Sequence, residues 1–177
     1  SSMNLISMKW SATSMFMLCL LVGVLHTANA VADSAVYNGN DLTISDAIVM
    51  DGDKLSYYRQ VRLSVLPNGD FRVIEAVEKQ LAHVNELSVA VLATEPVEVE
   101  LAIVGYKSTP CVELNTTVAR RGNTFLVAVG ETPLQTLVAC IQVIEPFELI
   151  LPLDVKGLPA GDYLVVVNGE EINFTID

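Results

Sequence analysis

The sequence is poor in basic residues, and this shortage excludes a class of partner. Its 177 residues contain 10 Lys and Arg against 21 Asp and Glu. The first 30 residues hold one of these bases and no acid, so the remainder carries 9 bases against 21 acids, a net charge of −12. Such a surface repels phosphate backbones and anionic lipid headgroups. We therefore expect no nucleic-acid partner; the acidity keeps a strand-rich surface soluble or offers an acidic patch to a basic partner or to cations.

Histidine and tryptophan are scarce as well, which argues against most enzyme classes. Trp10 is the only tryptophan and His83 the only histidine after residue 30. A Ser-His-Asp hydrolase needs a nucleophile in a strained turn and an orienting acid, and neither is recognisable. The chain also lacks a glycine-rich phosphate loop. We therefore expect no catalytic residues, no cofactor and no tryptophan platform for stacking sugars.

The carboxylates do not form a metal or acid-base motif. Glu98 and Glu100 alternate with apolar residues, which places both on the solvent face of a strand, without a cleft or a neighbour that would activate them. Residues 51–53 (Asp-Gly-Asp) and 38–41 (Asn-Gly-Asn-Asp) could offer oxygens to calcium, but they lack the spaced ligands of a binding loop. We interpret both as turns and expect no metal site.

The first 30 residues have the pattern of an export signal. Lys9 precedes an apolar run over residues 15–25, and small residues follow at Ala28 and Ala30. The run is short for a membrane span, which needs about 20 residues. We therefore predict a signal peptide over 1–30 that is cleaved after Ala30, or alternatively an uncleaved anchor. The protein would be secreted or periplasmic, or membrane-anchored and facing the periplasm through that leader alone.

Two cysteines remain after such a cleavage, because Cys19 leaves with the leader. Cys111 and Cys140 would then enter an oxidising compartment, where paired cysteines form disulfides. A redox motif would bring the sulfurs closer in sequence, and a metal site would need further ligands. We predict a disulfide that closes a loop of about 30 residues and contributes roughly 3 to 4 kcal/mol in the chain-entropy model.

The C-terminal end gives the strongest local prediction. Tyr163, Val165 and Val167 alternate with less apolar residues, and the alternation repeats after Asn168-Gly169, as in two half-buried antiparallel strands. Asn-Gly tolerates two positive φ angles and suits a type I′ turn. Residues 157–163 (Gly-Leu-Pro-Ala-Gly-Asp-Tyr) predict a tyrosine corner, in which the Tyr163 hydroxyl bonds to upstream backbone as in immunoglobulin-type sandwiches.

The remaining chain is also strand-rich, which predicts an all-β fold in two parts. Residues 31–80 form a three- or four-stranded meander that must pack on a larger sheet or a partner to be stable. Residues 78–86 fit either a short helix or a linker. Residues 87–177 contain about seven or eight short strands, including one over 137–143, and predict an immunoglobulin-like β-sandwich. Pro152 belongs at an edge or a bulge.

A set of motifs carries a resemblance to a known group of proteins. They are Leu42-x-Ile44 with Gly52, Tyr58, Val61 and Leu63, then Gly105-Tyr106, Cys111, residues 121–125, Cys140, Pro146-Phe147, residues 152–155, 157–163 and 167–169. With these motifs the chain resembles secreted bacterial proteins that have a short β-module followed by an immunoglobulin-like module, although Ser45 stands where many of them have proline. The resemblance covers most of residues 31–177 and implies this fold without an activity.

Two functions are compatible with these observations. The first is a non-enzymatic, exported structural or protein-interaction subunit of the cell envelope or an extracellular assembly, which docks on another protein through a strand edge or its exposed aromatics. Tyr57, Tyr58 and Tyr106 are the candidate contact residues. The alternative is a small module that binds a glycan, calcium or another ligand with loops at one end of the sandwich. Asn115 and Asn173 begin glycosylation sequons, which we expect to be unused outside a eukaryotic source.

Overall fold

The computed structural model describes residues 35–135 and 139–177, which contain eleven β-strands and no helix. The strands are β1 Val36–Tyr37, β2 Asp41–Asp51, β3 Lys54–Val65, β4 Phe71–Leu81, β5 His83–Leu92, β6 Glu98–Lys107, β7 Val112–Arg121, β8 Thr124–Pro133, β9 Glu145–Leu153, β10 Gly161–Val167 and β11 Glu170–Ile176. The all-β prediction is confirmed. Within these ranges, no helix has the length and hydropathy to cross a bilayer. The predicted signal or anchor segment lies outside the described residues.

The strands form two sheets. The smaller sheet has the order β5-β6-β9, and the larger sheet has the order β1-β2-β3-β4-β8-β10-β11, with β7 paired to β8 as well. Because β7 pairs with β8 along its whole length, β10 and β4 share the other edge of β8. β10 is parallel to β8 in residues 124–127, and β4 is antiparallel to it at Glu131 and Gly130. The two sheets are consistent with a β-sandwich.

The main core lies between the small sheet and the part of the large sheet formed by β8, β10 and β11. Val99, Leu101 and Ile103 of β6 are fully buried in it, and Val97 packs against it. Glu98 and Glu100 alternate with them on the exposed face. The period of two residues that defines a half-buried strand therefore decides which side chains enter the core.

The terminal hairpin has the predicted structure. Val167 pairs with Glu170, which leaves Asn168 and Gly169 as a two-residue turn in which both φ angles are positive, at 50° and 104°. Tyr163 donates its hydroxyl to the Pro159 carbonyl oxygen at 2.7 Å, the contact that the sequence predicts for a tyrosine corner. Its ring lies 5.4 Å from Phe174, centroid to centroid.

β8 is buried on both faces, because residues 125–131 are all buried. Phe125, Val127 and Val129 face the main core, whereas Ala128 packs with Leu55 and Tyr57 of β3 in a second cluster. The meander of β2, β3 and β4 thus packs on the outer face of β8. Since an isolated hairpin is only marginally stable in water, this contact supplies the packing that the sequence requires.

The region between the two predicted segments differs from the expectation. Residues 78–86 were compatible with a helix or a linker, but they belong to β4 and β5, with only Ala82 between them. Ala82 is buried and its N–H donates to the Val129 carbonyl oxygen at 2.9 Å. Pairing with β3, β8 and β6 in turn thus selects the extended conformation. Residues 32–177 cluster as one compact unit.

A second difference concerns the strand predicted over residues 137–143. In its described part, from residue 139, the chain has no regular secondary structure, and Ile141 and Val143 are 67 % and 51 % exposed. Alternation alone does not make a strand, because each strand also needs a partner edge for its backbone groups. The described part of residues 87–177 contains seven strands. Pro152 lies on β9, which among the described strands pairs only with β6, at the predicted edge position.

Candidate protein-interaction surface

The three tyrosines predicted to contact a partner occupy different environments. Tyr57 is 1 % exposed, and its hydroxyl donates to Asp46 Oδ1; it belongs to the interior and not to a surface. Tyr58 points to the opposite face of β3, as consecutive residues of a strand do, and it lines an open groove. Tyr106 is half-buried on β6, with its ring 4.4 Å from that of His83. Only Tyr58 belongs to an extended apolar surface.

The groove beside Tyr58 is apolar and open to solvent. Its volume is about 350 Å³, and its six lining residues come from β2, β3 and β4: Ala47, Val49, Tyr58, Val61, Val73 and Ala76. We call these six residues the meander face. None of them is charged, and Val49 and Val73 are 47 % and 63 % exposed. Contiguous exposed apolar surface of this kind is typical of interaction sites.

The backbone of β3 creates this face through an irregular residue. Tyr58 and Val61 are three positions apart, a spacing that places side chains on opposite faces of a regular strand. Gln60 lies between them with a φ of 56°, a left-handed conformation that is uncommon outside glycine. This conformation breaks the alternation, so that both side chains line the same groove. A register irregularity in the pairing of β3 with β4 accompanies it, after Arg59.

The opposite face of the meander is held by a polar contact. Asp46 accepts the Tyr57 hydroxyl and also pairs with Arg59, whose Nε lies 3.0 Å from Asp46 Oδ1. The Asp46 side chain is 16 % exposed, so this pair is less screened by solvent than a fully exposed one. The network connects β2 to β3 next to Gln60, and it fixes the irregular segment that shapes the meander face.

The charges of the meander differ from those of the chain as a whole. β2, β3 and β4 together contain five basic and five acidic residues, a net charge of zero. The whole chain has a net charge of −11, so this entire excess of acid lies outside the three strands. The meander is therefore an electrically neutral part of an acidic protein.

β4 also has an open edge. It pairs with β3 over residues 71–79 and with β8 only at Gln80 and Leu81. Within the described residues, no strand pairs with the second edge of β4 from Phe71 to Lys79. The same stretch exposes Phe71, Val73 and Ile74 by 46 % or more. Proteins usually protect such edges because they offer backbone donors and acceptors to another chain.

The predicted disulfide is present. Cys111 and Cys140 are bonded, with their Cα atoms 6.0 Å apart and a sequence separation of 29. A cavity of about 480 Å³ adjoins the bond, lined also by Glu78, Ser108 and Glu131. Glu131 is 4 % exposed and accepts the Ser108 N–H at 2.7 Å and the Ser108 hydroxyl. Both carboxylate oxygens are thus satisfied, which makes Glu131 a structural residue.

Sequence reasoning did not identify the role of the Asn168 side chain. Its Oδ1 accepts the Val129 N–H at 2.9 Å, and its Nδ2 donates to the carbonyl oxygens of Ala82 and Val129 at 2.8 and 2.9 Å. Asn168 therefore joins β8, the connection between β4 and β5, and the terminal turn. The Asn-Gly pair predicts the turn, but no local signal predicts these contacts, because their partners lie 39 and 86 residues away.

The other candidate residues do not come together. His83 is exposed on β5 and packs on Tyr106, while Asn115 is half-buried and Asn173 is exposed. The Asp-Gly-Asp sequence over residues 51–53 forms the turn between β2 and β3. In the described ranges, no group of three or more His, Cys, Asp or Glu residues is placed to hold a metal ion.

A family match covers the sandwich from within β6 onward, but neither β5 nor the meander. Residues 101–176 match a family model described as the ORF11 beta-sandwich domain. No curated protein and no solved structure matches the chain. The matched range begins within β6 and ends within β11, and the meander face and the open edge of β4 precede it. From β6 to its last strand, the chain is therefore similar to the ORF11 beta-sandwich domain.

Proposed function

We propose that this protein is a non-enzymatic interaction subunit that binds another protein chain through the meander face and the adjacent edge of β4. The observation that carries the proposal is the placement of a neutral, apolar groove next to an unpaired strand edge, on a chain that is otherwise strongly acidic. On β6, by comparison, the solvent-facing positions Glu98 and Glu100 carry carboxylates. Binding of a partner would bury the exposed apolar residues of the meander face, which explains their composition.

The mode of binding follows from the two features together. A partner strand that adds to β4 would gain backbone hydrogen bonds along residues 71–79, and its alternate side chains would enter the groove beside Tyr58 and Val73. Backbone pairing supplies affinity without sequence selectivity, whereas the groove selects small or branched apolar side chains. The sandwich then acts as the rigid support of this surface, since β3 packs through Tyr57 against β8.

The proposal includes export and an immunoglobulin-type sandwich. The basic residue, apolar run and small residues of the first 30 positions support secretion or periplasmic localisation, with a membrane-anchored form as the alternative. The Cys111–Cys140 bond is consistent with an oxidising compartment. The tyrosine corner at Tyr163 and the two-sheet arrangement support the immunoglobulin-like assignment.

Site-specific photocrosslinking tests the proposal. A benzophenone side chain placed at Tyr58 should form an adduct with another polypeptide in the native envelope or secreted fraction, and Val73→Lys should abolish that adduct. The control is the same probe at Ile150, a residue of β9 that is 61 % exposed. Equal adduct formation at the two positions, or an adduct at Tyr58 that is insensitive to Val73→Lys, would show that the meander face does not bind protein.

The cavity beside the disulfide supports a second candidate function, the binding of a small polar ligand such as a glycan. It combines a volume of about 480 Å³ with polar lining residues, among them Lys79 and Thr109. A ligand there should raise the melting temperature of the protein, because binding to the folded state alone stabilises it. Melting in the presence of a glycan panel, with and without Ca²⁺, tests this alternative; an unchanged melting temperature throughout would exclude it for those ligands.

A further inference from the structure

Three Asn-Gly pairs occur in the sequence, at residues 38–39, 68–69 and 168–169. Each lies in the connection between two consecutive strands, namely β1 and β2, β3 and β4, and β10 and β11. An asparagine followed by glycine is chemically labile, because glycine has no side chain to hinder the approach of its nitrogen to the asparagine amide. The three pairs are therefore candidate sites of a covalent change that the chain carries out on itself.

The reaction is a deamidation, and water is its only co-reactant. At residues 168–169, the Gly169 backbone nitrogen would attack the side-chain carbonyl carbon of Asn168. As this N–C bond forms, the bond from the carbon to Nδ2 breaks, and Nδ2 leaves as ammonia with the proton of the Gly169 N–H. Water then opens the cyclic imide, which yields aspartate or isoaspartate. The reaction requires that the Asn168 amide turns towards Gly169 and releases its other partners.

The fold holds the Asn168 amide away from this reaction. Its Oδ1 accepts the Val129 N–H at 2.9 Å, and its Nδ2 donates to the carbonyl oxygens of Ala82 and Val129 at 2.8 and 2.9 Å. The pairing of β8 with β10 ends two residues before Val129, and its pairing with β4 begins one residue after it. The side-chain amide thus takes the place of a backbone group in the gap between the two strands, and three hydrogen bonds must break before it can react.

The other two pairs are not held in this way. Asn38 is exposed, and its Oδ1 accepts two backbone N–H groups of its own turn, at residues 40 and 41. Asn68 is exposed as well, but the Gly69 N–H donates to the Leu66 carbonyl oxygen at 2.9 Å, which occupies the nitrogen that would attack. Asn38 is therefore the reference for an Asn-Gly pair that reacts in the folded protein.

We infer that Asn168 is a deamidation site that the fold protects, and that it reacts only in molecules whose terminal hairpin has separated from β8. The reaction is irreversible, and it removes the donors that satisfy the carbonyl oxygens of Ala82 and Val129. Isoaspartate also lengthens the backbone of the two-residue turn. A molecule that has opened once at this hairpin then refolds with a weaker junction, so the site accumulates a permanent record of opening.

Peptide mapping of the full chain tests the inference. Tryptic cleavage after Lys54 and Lys156 places Asn38 and Asn168 in separate peptides, and chromatography resolves their asparagine, aspartate and isoaspartate forms. The protein is incubated at mildly alkaline pH with the disulfide intact, once folded and once in denaturing urea. Folding should slow the reaction at Asn168 at least about tenfold more than at Asn38, since only Asn168 must first break three bonds to distant strands. Equal slowing at both sites, or no reaction at Asn168 in urea, would overturn the inference.

Hydrogen exchange at Val129 identifies the opening that permits the reaction. The Val129 N–H donates to Asn168 Oδ1, so it exchanges when the same contacts break. Urea below the unfolding midpoint should accelerate this exchange and the deamidation of Asn168 by factors that agree within about twofold. Deamidation at an unchanged rate while Val129 exchanges faster would show that Asn168 reacts in its folded position. The fraction deamidated at Asn168 should also unfold at a lower urea concentration than unmodified protein; an equal midpoint would contradict the permanent record.

Discussion

The contact between Gly130 and Tyr57 joins the meander to the sandwich, and it allows a quantitative prediction. A Cβ atom added at Gly130 would lie 2.5 and 2.6 Å from two carbons of the Tyr57 ring, well inside van der Waals contact. The ring has little room to move, because Tyr57 is 1 % exposed and its hydroxyl is bound to Asp46. Gly130 has no positive φ, so the backbone itself accepts alanine. The cost of Gly130→Ala therefore measures this packing contact.

We expect Gly130→Ala to lower the free energy of unfolding by about 2 kcal/mol, within the range of 1 to 3 kcal/mol that overpacking costs in well-packed cores. For a domain of this size, that loss corresponds to a fall in melting temperature of about 4 to 8 °C. Urea denaturation under non-reducing conditions measures the free energy, and a calorimetric scan measures the melting temperature.

A double-mutant cycle supplies the control. Tyr57→Ala alone removes a buried aromatic ring and should cost about 3 to 5 kcal/mol, as such truncations do. In that background the clash is gone, and Gly130→Ala should be neutral or stabilising by up to about 1 kcal/mol, because alanine loses less conformational entropy than glycine. If Gly130→Ala cost the same with and without the Tyr57 ring, the ring would not be the cause, and our account of how the meander packs on β8 would be refuted.

Three further predictions follow from single contacts. Tyr163→Phe removes the hydroxyl that donates to Pro159 at 2.7 Å but keeps the ring, so it should lower the free energy of unfolding by about 1 kcal/mol; an unchanged denaturant midpoint would contradict this. Asn168→Asp keeps Gly169 in the turn but directs a carboxylate at the carbonyl oxygens of Ala82 and Val129. It should lower the free energy of unfolding by more than about 1 kcal/mol at neutral pH; a variant as stable as the wild type would show that the Asn168 side chain is dispensable. Replacing Cys111 and Cys140 with Ser should lower the free energy of unfolding, measured in guanidinium, by about 3 to 4 kcal/mol. Mass spectrometry of the unreduced wild type should give a mass two hydrogens below the dithiol form, and free thiols would contradict the bond.

The parts of the fold that could be predicted from sequence are those that local patterns determine. Alternation of apolar and polar residues predicted which side chains of β6 enter the core, and the Asn-Gly pair predicted the turn between β10 and β11. The disulfide was predictable because only two cysteines follow residue 30. In each case, a pattern within about ten residues, or a count, is enough to decide between the alternatives.

The errors arose where distant residues decide the local structure. Residues 78–86 are extended because they pair in turn with β3, with β8 some 50 residues later in the chain, and with β6. Residues 139–143 alternate like a strand but have no partner edge, and the bond from Cys140 to Cys111 determines their position instead. The apolar run over residues 125–130 is the pattern of a strand buried on both faces; it indicates that something must cover β8 but not which segment does so.

In the candidate surface, too, distant residues decide what the local sequence cannot, here for a single side chain. Tyr57 and Tyr58 are adjacent and identical, and the sequence cannot distinguish their roles. The structure separates them because Gly130 leaves space on β8 for one ring, which gives Tyr57 an interior position and leaves Tyr58 on the other face. The irregular backbone at Gln60 then brings Val61 to the side of Tyr58, an arrangement that no regular alternation predicts.

The composition of the free face argues that the meander does more than cover β8. Only the Leu55 and Tyr57 side of β3 is needed for that packing. A strand that merely covers a core is expected to present polar residues on its other side, and β6 does so with Glu98 and Glu100. The meander instead presents Val49 and Val73 to solvent. The small sheet also exposes single aliphatic residues, such as Ile150 on β9, but those of the meander line one continuous groove with Tyr58, and a contiguous apolar surface fits contact with protein rather than with water.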